Sequence, residues 1–539
     1  MAVTALSAAA RSVTLARLEE EVFDVVVIGG GITGAGVARD AALRGLTVAV
    51  IESDDFAVGT SSRSSKLIHG GLRYLAMGDV ALVRETALER KAVLAMAPHL
   101  AEPCWMVVPA RSRMSLMKFR AGITAYEKLG AVAKVDLHRN WGIEELTNFE
   151  PHLDRTRHPW ACAYREYLTD DSRLVLATLR SAVAAGAVVA NRLEAVGLLR
   201  DGDRVTGVRA RCALDGSEPE IRGRVVVNAA GPWADRVAAL EVQREESRLH
   251  LSKGVHIVLP ASLLPVRNLV VMNTADRRSI FAIPRGDTVY LGTTDTTYVG
   301  DRWRWPEIDD ADVRYLLEPV SRYFDLPRTL EPEDVVAAWA GLRPLVAEVG
   351  KAAKEMSRKD EVWIGPGGML TVAGGKLTGF RKMAEDIVET VGERLGETLK
   401  APPGPLPLPG GDFDGDIAGL ASALPGVDNL GRACAERLAR LYGSEAAAVL
   451  ELGAEPVVPG GAVVFGEIDW AVEVEAAQTL EDLVYRRTRA AWHSPVERDA
   501  MLMPAAARMG ALLSWDAEEQ ERQVIQVRER LAEELAFGF

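Results

Sequence analysis

The chain is poor in cysteine, and its four cysteines, Cys104, Cys162, Cys212 and Cys434, are scattered with no C-x-x-C pair. Such spacing supports neither a disulfide framework nor a zinc site, and it fits a reducing compartment. No metal is expected. The sequence has no run of 18 uncharged apolar residues, so no membrane-spanning helix is expected. It has no excess of positive charge: 63 Lys and Arg stand against 76 Asp and Glu, a net charge of −13. That balance argues against a general nucleic-acid binder. No internal repeat is evident. The N-terminal MAVTALSAAARSVTLARLEEE starts apolar, but arginines and three glutamates follow at once. Residues 1–21 therefore read as an arm or short helix rather than a signal peptide.

What is present is enough for two or three domains: 539 residues, 48 % of them hydrophobic. FDVVVIG (23–29) is a short β-rich apolar run of the kind found in buried parallel strands. GGGITGAG follows, then a helix pattern through VARDAALRG, then a second strand, TVAVIE, ending on Glu52. Gly29, Gly31 and Gly34 form a G-x-G-x-x-G fingerprint, and Glu52 lies 18 residues beyond Gly34. Glycines there permit a tight turn, close approach of a pyrophosphate and helix–strand packing. The helix N-terminus offers N–H groups to phosphate, and the acid suits ribose hydroxyls. The unit predicts dinucleotide binding without separating FAD from NAD.

Later segments extend this unit. SSRSSKLIHGGLRYL (61–75) is crowded with hydrogen-bond donors and follows the acidic strand end after a short loop. GRVVVNAAGPWAD (223–235) reads as a strand closing on a turn at Gly231. MLTVAGGKLTGFRKMAEDIVETV (369–391) reads as strand, Gly-rich turn (Gly374, Gly375) and amphipathic helix, with Lys376 near the helix start. A cation beside helix-end N–H groups stabilises an anion, such as reduced flavin. HIVLP, LVVMN, SIFAIP and TVYLGTTD have the spacing of an antiparallel meander. APPGPLPLPGGDFDGD (401–416) has five prolines in its first nine residues and reads as a boundary. Beyond it the periodicity is helical. The last helix offers Val524, Ile525, Val527 and Leu531 as its buried stripe.

VVIGGGITGAGVARDAALRGLTVAVIE, SSKLIHGGLRYL, MAPHLAEP, DDSRLVLA, NAAGPWAD, KGVHIVLP, GTTDTTYVGD, GLRPL and GGKLTGFRKMAE together resemble the FAD-dependent glycerol-3-phosphate dehydrogenases. These motifs appear in family order from about residue 22 to 395, and YRRTRAAW (485–492) resembles the family's helical cap. The resemblance implies an α/β, Rossmann-like FAD domain of the glutathione-reductase and D-amino-acid-oxidase type. Segments 22–80, 166–240 and 362–398 would assemble it. A β-sheet substrate domain would come from 81–165 and 241–361, a linker from 399–416 and a helical C-terminal domain from 417–539. The implied reaction is oxidation of glycerol 3-phosphate to dihydroxyacetone phosphate, by hydride transfer to flavin N5 and onward passage of electrons to a quinone. The open alternatives are a soluble oxidase that makes peroxide, a non-catalytic flavoprotein, and an amino-acid substrate.

Such a reaction needs a base, a cationic grip on a phosphate dianion and a donor for the forming ketone. By family position the arginines are Arg73, Arg343 and Arg358, with Arg278 before SIFAIP as a fourth. Arginine's planar fork donates two parallel hydrogen bonds to a phosphate. Residues 346–356 around Arg358 depart from the family pattern. The base is His69 or His256, two of eight histidines. Lys376 would stabilise charge, and Tyr74 and Tyr298 would line the pocket. Ser61, Ser62, Ser64, Ser65 and Lys66 would contact FAD, as would Gly374, Gly375, Lys376, Leu377 and Thr378. Gly379-Phe380 replaces the Thr-Tyr of the family, which removes any contact from that tyrosine's hydroxyl.

RSRMSLMKFRAGITAYEKLG (111–130) is basic and amphipathic. It could lie in an anionic bilayer surface or pack on the sheet with a solvated basic face. The resemblance favours the first, placing the protein at the cytoplasmic side of the membrane; a cytoplasmic enzyme is the alternative. A homodimer is implied by likeness alone.

Overall fold

The computed structural model describes residues 6–69, 80–243, 246–347, 361–401 and 404–537. Arg73, Tyr74 and Arg358 lie outside these residues.

Among the described residues, two sheets organise the chain. The first has eight strands. Its path runs Glu361–Ile364, Leu370–Ala373, Glu220–Asn228, Val22–Ile28, Val48–Ile51, Val188–Ala190, with the hairpin Leu193–Asp201 and Arg204–Cys212 attached to Glu220–Asn228. The central pairings are parallel: Val22–Ile28 has Val48–Ile51 on one side and Glu220–Asn228 on the other. The strands are near-continuous runs of valine and isoleucine because both faces are covered. Val25, Val27, Val50 and Val227 pack under the helices Ile32–Leu43, Asp171–Ala184 and Phe380–Leu395. Val26, Ile28, Ala49 and Ile51 pack against the opposite layer with Phe23 and Leu18. Leu18 belongs to a helix, Arg11–Glu20, so the N-terminal arm is ordered there.

The second sheet has ten strands. Its meander, Leu249–Pro260, Thr288–Gly292, Ser279–Arg285 and Leu269–Asn273, is antiparallel throughout. Leu269–Asn273 then pairs in parallel with Glu102–Ala110, which leads to Trp160–Leu168 and Leu67–Ile68. Ala337–Val346 pairs along nearly the whole of Leu249–Pro260. Leu67–Ile68 thus carries the chain from the first sheet to the edge of the second, and that crossing sets up the site.

The C-terminal helices, from Ile417 to Glu534, do not hang from a tether. Leu408, inside the proline-rich segment, is buried in the core of the first sheet. Arg39 Nη2 donates to the carbonyl of Leu406 at 2.9 Å. The expected linker is therefore packed down. In the last helix, Ala517–Glu534, Val524 and Val527 are buried as expected, but Ile525 is 46 % exposed. Ile525 follows Val524 directly, so the turn of the helix carries it off the buried stripe.

Candidate active site

A cavity of about 1750 Å³ opens between the two sheets. Its first arm is built from the Gly-rich turn. Gly29 has φ +114°, and a Cβ there would lie 2.6 Å from the carbonyl of Ala229. A Cβ on Gly34 would overlap the carbonyl of Gly29, so this glycine seats the helix Ile32–Leu43 against the turn and does not itself line the cavity. Gly29, Gly31 and Ile32 line the arm, and Ile32 N–H donates to Ser61 Oγ at 3.0 Å. Glu52 lies at its far end, where its Oε2 accepts from Gly30 N–H at 2.7 Å. Burial pushes the Glu52 carboxyl above its ordinary range, opposed by the N–H groups of Gly30 and Asp54. Gly231 and Trp233 form the facing wall.

The second arm runs between the turn after Leu370–Ala373 and the second sheet. Gly374 (φ +82°) and Gly375 (φ +83°) hold a left-handed turn that few side chains could adopt. It delivers Lys376 as the residue capping the turn Leu377–Gly379, which runs straight into the helix Phe380–Leu395. Gly374, Gly375, Lys376, Leu377 and Thr378 all line the cavity. His69 lines it too, and its backbone is clipped to this turn: His69 N–H donates to Thr378 Oγ1 at 3.3 Å, and Thr378 Oγ1 donates to the His69 carbonyl at 3.2 Å. The Thr378 hydroxyl is therefore engaged with backbone.

Arg343 and Arg278 come into the same cavity from the second sheet. Arg343 Nη1 donates to the Thr294 carbonyl at 3.2 Å and to Asp295 Oδ1 at 3.3 Å, and Nη2 to Thr293 Oγ1 at 3.0 Å. Arg278 Nη1 donates to the Asp295 carbonyl at 2.7 Å, and its Nε pairs with Asp276 at 3.1 Å. The two guanidiniums are thus oriented by one short stretch, Thr293–Asp295.

Not every expected residue lines the cavity. His256 is 1 % exposed and lies behind Ser65, whose Oγ is 2.8 Å from His256 Nε2. Its ring stacks on Trp339 at 4.9 Å, and its Nδ1 has no hydrogen-bond partner among the described residues. Burial, with Arg343 and Lys66 nearby, holds its pKa well below the ordinary value. Lys66 is likewise removed from the cavity. Its Nζ donates to the Ser62 carbonyl at 2.8 Å and pairs with Asp171 at 3.1 Å, lying over the rings of Trp339 and Trp492. Burial, reinforced by Arg489, lowers its pKa to about 7. Ser62 is buried with it, and Tyr298 donates to the Arg302 carbonyl outside the cavity. Ser61, Ser64 and Ser65 do line the cavity.

Several lining residues carry no signal of their own in the sequence. Arg63 sits inside the donor-rich stretch, Trp233 in NAAGPWAD, and Thr293 and Asp295 in GTTDTTYVGD. Their motifs were visible, but which member of each motif faces inward depends on distant packing.

The first arm fits FAD. A glycine turn that Cβ atoms would fill, a helix N-terminus and a buried acid suit the adenosine and pyrophosphate parts. Lys376 at the head of a second helix suits the isoalloxazine end. Among the described residues no cluster of His, Cys, Asp and Glu could hold a metal.

Fold and site together define a flavin-dependent oxidoreductase. Residues 24–381 match the FAD dependent oxidoreductase family, and residues 404–520 match the C-terminal domain of alpha-glycerophosphate oxidase. The chain is 40 % identical to the aerobic glycerol-3-phosphate dehydrogenase of Staphylococcus haemolyticus over 455 residues, covering 82 % of this chain and 81 % of that one. It is 36 % identical to the enzyme of that name from Bacillus subtilis over 499 residues, 88 % of each. A solved glycerol-3-phosphate dehydrogenase from Bacillus halodurans, complexed with FAD, superposes with a TM-score of 0.81 at 32 % identity, covering 99 % of both chains. The chain belongs to the family of FAD-dependent glycerol-3-phosphate dehydrogenases.

Proposed function

We propose that this protein oxidises sn-glycerol 3-phosphate to dihydroxyacetone phosphate and passes the electrons to a membrane quinone. FAD, when bound, supplies the two-electron acceptor for the carbinol hydrogen. The observation that carries the reading is one cavity joining the dinucleotide arm to Arg343, Arg278, His69 and Lys376. Arg343 and Arg278 bind the phosphate dianion, for which two oriented guanidinium forks suffice. His69 takes the hydroxyl proton, because it lines the cavity whereas His256 lies behind Ser65. His256 then serves as a neutral partner that fixes Ser65. Lys376 and the helix start beside it stabilise negative charge at their end of the cavity. Arg73, Tyr74 and Arg358 remain candidates for substrate contacts through their motifs.

Peripheral membrane association is part of the proposal. No helix among the described residues is long and apolar enough to cross a membrane. The helix Arg113–Leu129 buries Ile123 and Tyr126 but exposes Met114 and Met117 beside Arg113, Lys118 and Arg120. Such a face suits an anionic bilayer surface, and flotation with lipid vesicles tests it.

Anaerobic titration with glycerol 3-phosphate, followed by visible absorbance, tests the reaction. Bleaching that recovers on adding a soluble quinone is expected. The C-terminal match to an oxidase domain keeps oxygen in view as the acceptor; stoichiometric peroxide in air would replace the quinone. A bound flavin that never bleaches would remove the substrate.

A further inference from the structure

Residues 301–305, Asp-Arg-Trp-Arg-Trp, belong to no helix or strand. A surface loop of this kind is ordinarily weakly held, but this one is fastened on several sides. The Arg236 guanidinium lies 3.7 Å from the ring centroid of Trp303, and the Trp233 ring is 6.5 Å away. Both partners belong to the wall that follows the strand Glu220–Asn228. Arg304 pairs at 2.7 Å with Asp54, two residues beyond Glu52 and on the opposite wall. The Arg304 carbonyl accepts from Arg63, whose guanidinium lies 3.9 Å from the ring of Trp305. Asp54, Arg63, Trp233, Arg236 and Arg304 all line the cavity.

The outer side of the loop is held by the C-terminal helices. Arg304 pairs with Glu481 at 2.6 Å, and Arg302 with Glu533 at 2.8 Å. Tyr485 meets the Trp305 ring edge-on at 5.2 Å, and the Arg530 guanidinium lies 4.5 Å from that ring. One short loop therefore joins both walls of the dinucleotide arm and is braced from outside.

We propose that residues 301–305 are a clasp that retains bound FAD. The proposal rests on the assignment of FAD to this cavity. An exposed ion pair or an exposed cation–π contact is weak alone. A loop fixed to both walls acts differently, because the cofactor cannot leave that arm until one set of contacts opens.

The test is the release of FAD from the holoenzyme, followed by the fluorescence of free flavin in the presence of a flavin-binding competitor. The double variant Trp303→Ala, Arg304→Ala is expected to release FAD about tenfold faster than the unaltered protein, since the side-chain contacts to Arg236, Trp233 and Asp54 are gone and only those to Arg63 remain on the cavity side. Trp303→Phe keeps an aromatic ring against Trp233 and is expected to stay within about twofold. Melting in saturating FAD separates clasp loss from a general loss of fold: the double variant should melt near the unaltered protein. Equal release rates in a folded double variant overturn the clasp. If that variant does not fold, Arg304→Gln alone must still release FAD faster, and an unchanged rate overturns the proposal. An unaltered protein that neither carries nor takes up FAD overturns the cofactor assignment, and the clasp with it.

Discussion

A glycine makes room for Arg343. A Cβ on Gly254 would overlap Arg343 Nη2 and lie 2.8 Å from Thr293 Oγ1. The obstacle is the tip of a flexible side chain, so the backbone of Leu249–Pro260 need not move. Gly254→Ala should therefore displace the guanidinium while leaving the melting temperature near its original value. The expected effect is a rise in KM for glycerol 3-phosphate approaching that of Arg343→Ala, about 100-fold for loss of a half-buried charge-assisted contact. An unchanged KM in both variants would take Arg343 out of the substrate site. His256 calls for a different measurement. Its imidazole is neutral in the folded protein because burial holds its pKa well below 6.5, the ordinary value. The unfolded chain gains a proton there as pH falls below that value and the folded chain does not, so this residue costs stability on the acid side. His256→Gln, which cannot titrate, should gain relative to the unaltered protein by about 1.4 kcal/mol per pH unit below pH 6.5. Parallel stability curves from pH 7 to pH 5 would show that His256 takes up its proton in the fold as readily as in the unfolded chain.

The helix Arg113–Leu129 shows what an element can do that its residues alone do not announce. Its inward side, Leu116, Phe119, Ile123 and Tyr126, belongs to the core of the second sheet and the C-terminal helices. The helix packs on the sheet, and its outer face carries Met114 and Met117, 63 % and 57 % exposed, on which the membrane proposal rests. Arg113→Glu with Arg120→Glu should abolish flotation with anionic vesicles, since each juxtamembrane cation contributes about 1 kcal/mol of surface attraction. Binding that is equal on neutral and anionic vesicles, and unaffected by the charge reversal, would reject the electrostatic part of docking. The central strands of the first sheet and the meander of the second were legible in the sequence as short β-rich runs bounded by turn residues, as LVVMN and SIFAIP show, whereas Glu102–Ala110, Trp160–Leu168 and Ala337–Val346 were not. The Gly-rich turn, Glu52 and Lys376 were legible because their spacing encodes their backbone. The choice between His69 and His256 was not, since both sit in similar motifs. The proposal of His69 rests on Trp339, which stacks on His256 from another strand, and on Ser65, which stands between His256 and the cavity. Lys66 reads as a cofactor donor until Asp171 and Trp492 arrive from distant segments to enclose it.

At the scale of the molecule, buried ion pairs bind the C-terminal helices to the flavin domain rather than leaving them tethered to it. Asp55 lies just beyond Glu52 and is fully buried. Burial alone would push its carboxyl up, but Arg487 and Arg486 outweigh this and hold it below its ordinary range. Arg486 Nε is 2.5 Å from Asp55 Oδ2, and Arg487 donates to both oxygens at 2.7 and 2.8 Å. Nearby, Arg489 pairs with Asp171 and Asp170, and Arg173 pairs with Glu475 at 2.6 Å. All three C-terminal arginines come from YRRTRAAW, so one short segment locks onto the loop and helix that flank the donor-rich stretch. A paired buried charge contributes little net stability over an apolar pair, but breaking the pair strands the partner. Asp55→Asn leaves two buried guanidiniums short of a counter-charge and should cost about 3 kcal/mol of stability. Because the loop after Asp55 carries Ser61 to Ser65, the same variant should weaken FAD binding, although residue 55 does not line the cavity. Denaturant unfolding monitored by flavin fluorescence and by far-ultraviolet circular dichroism separates the possibilities. Coincident transitions, both moved to lower denaturant, are expected if the helices and the flavin domain unfold as one unit. A flavin transition that moves while the helical transition stays in place would mean that the C-terminal helices stand on their own and that the arginine lock serves the loop alone.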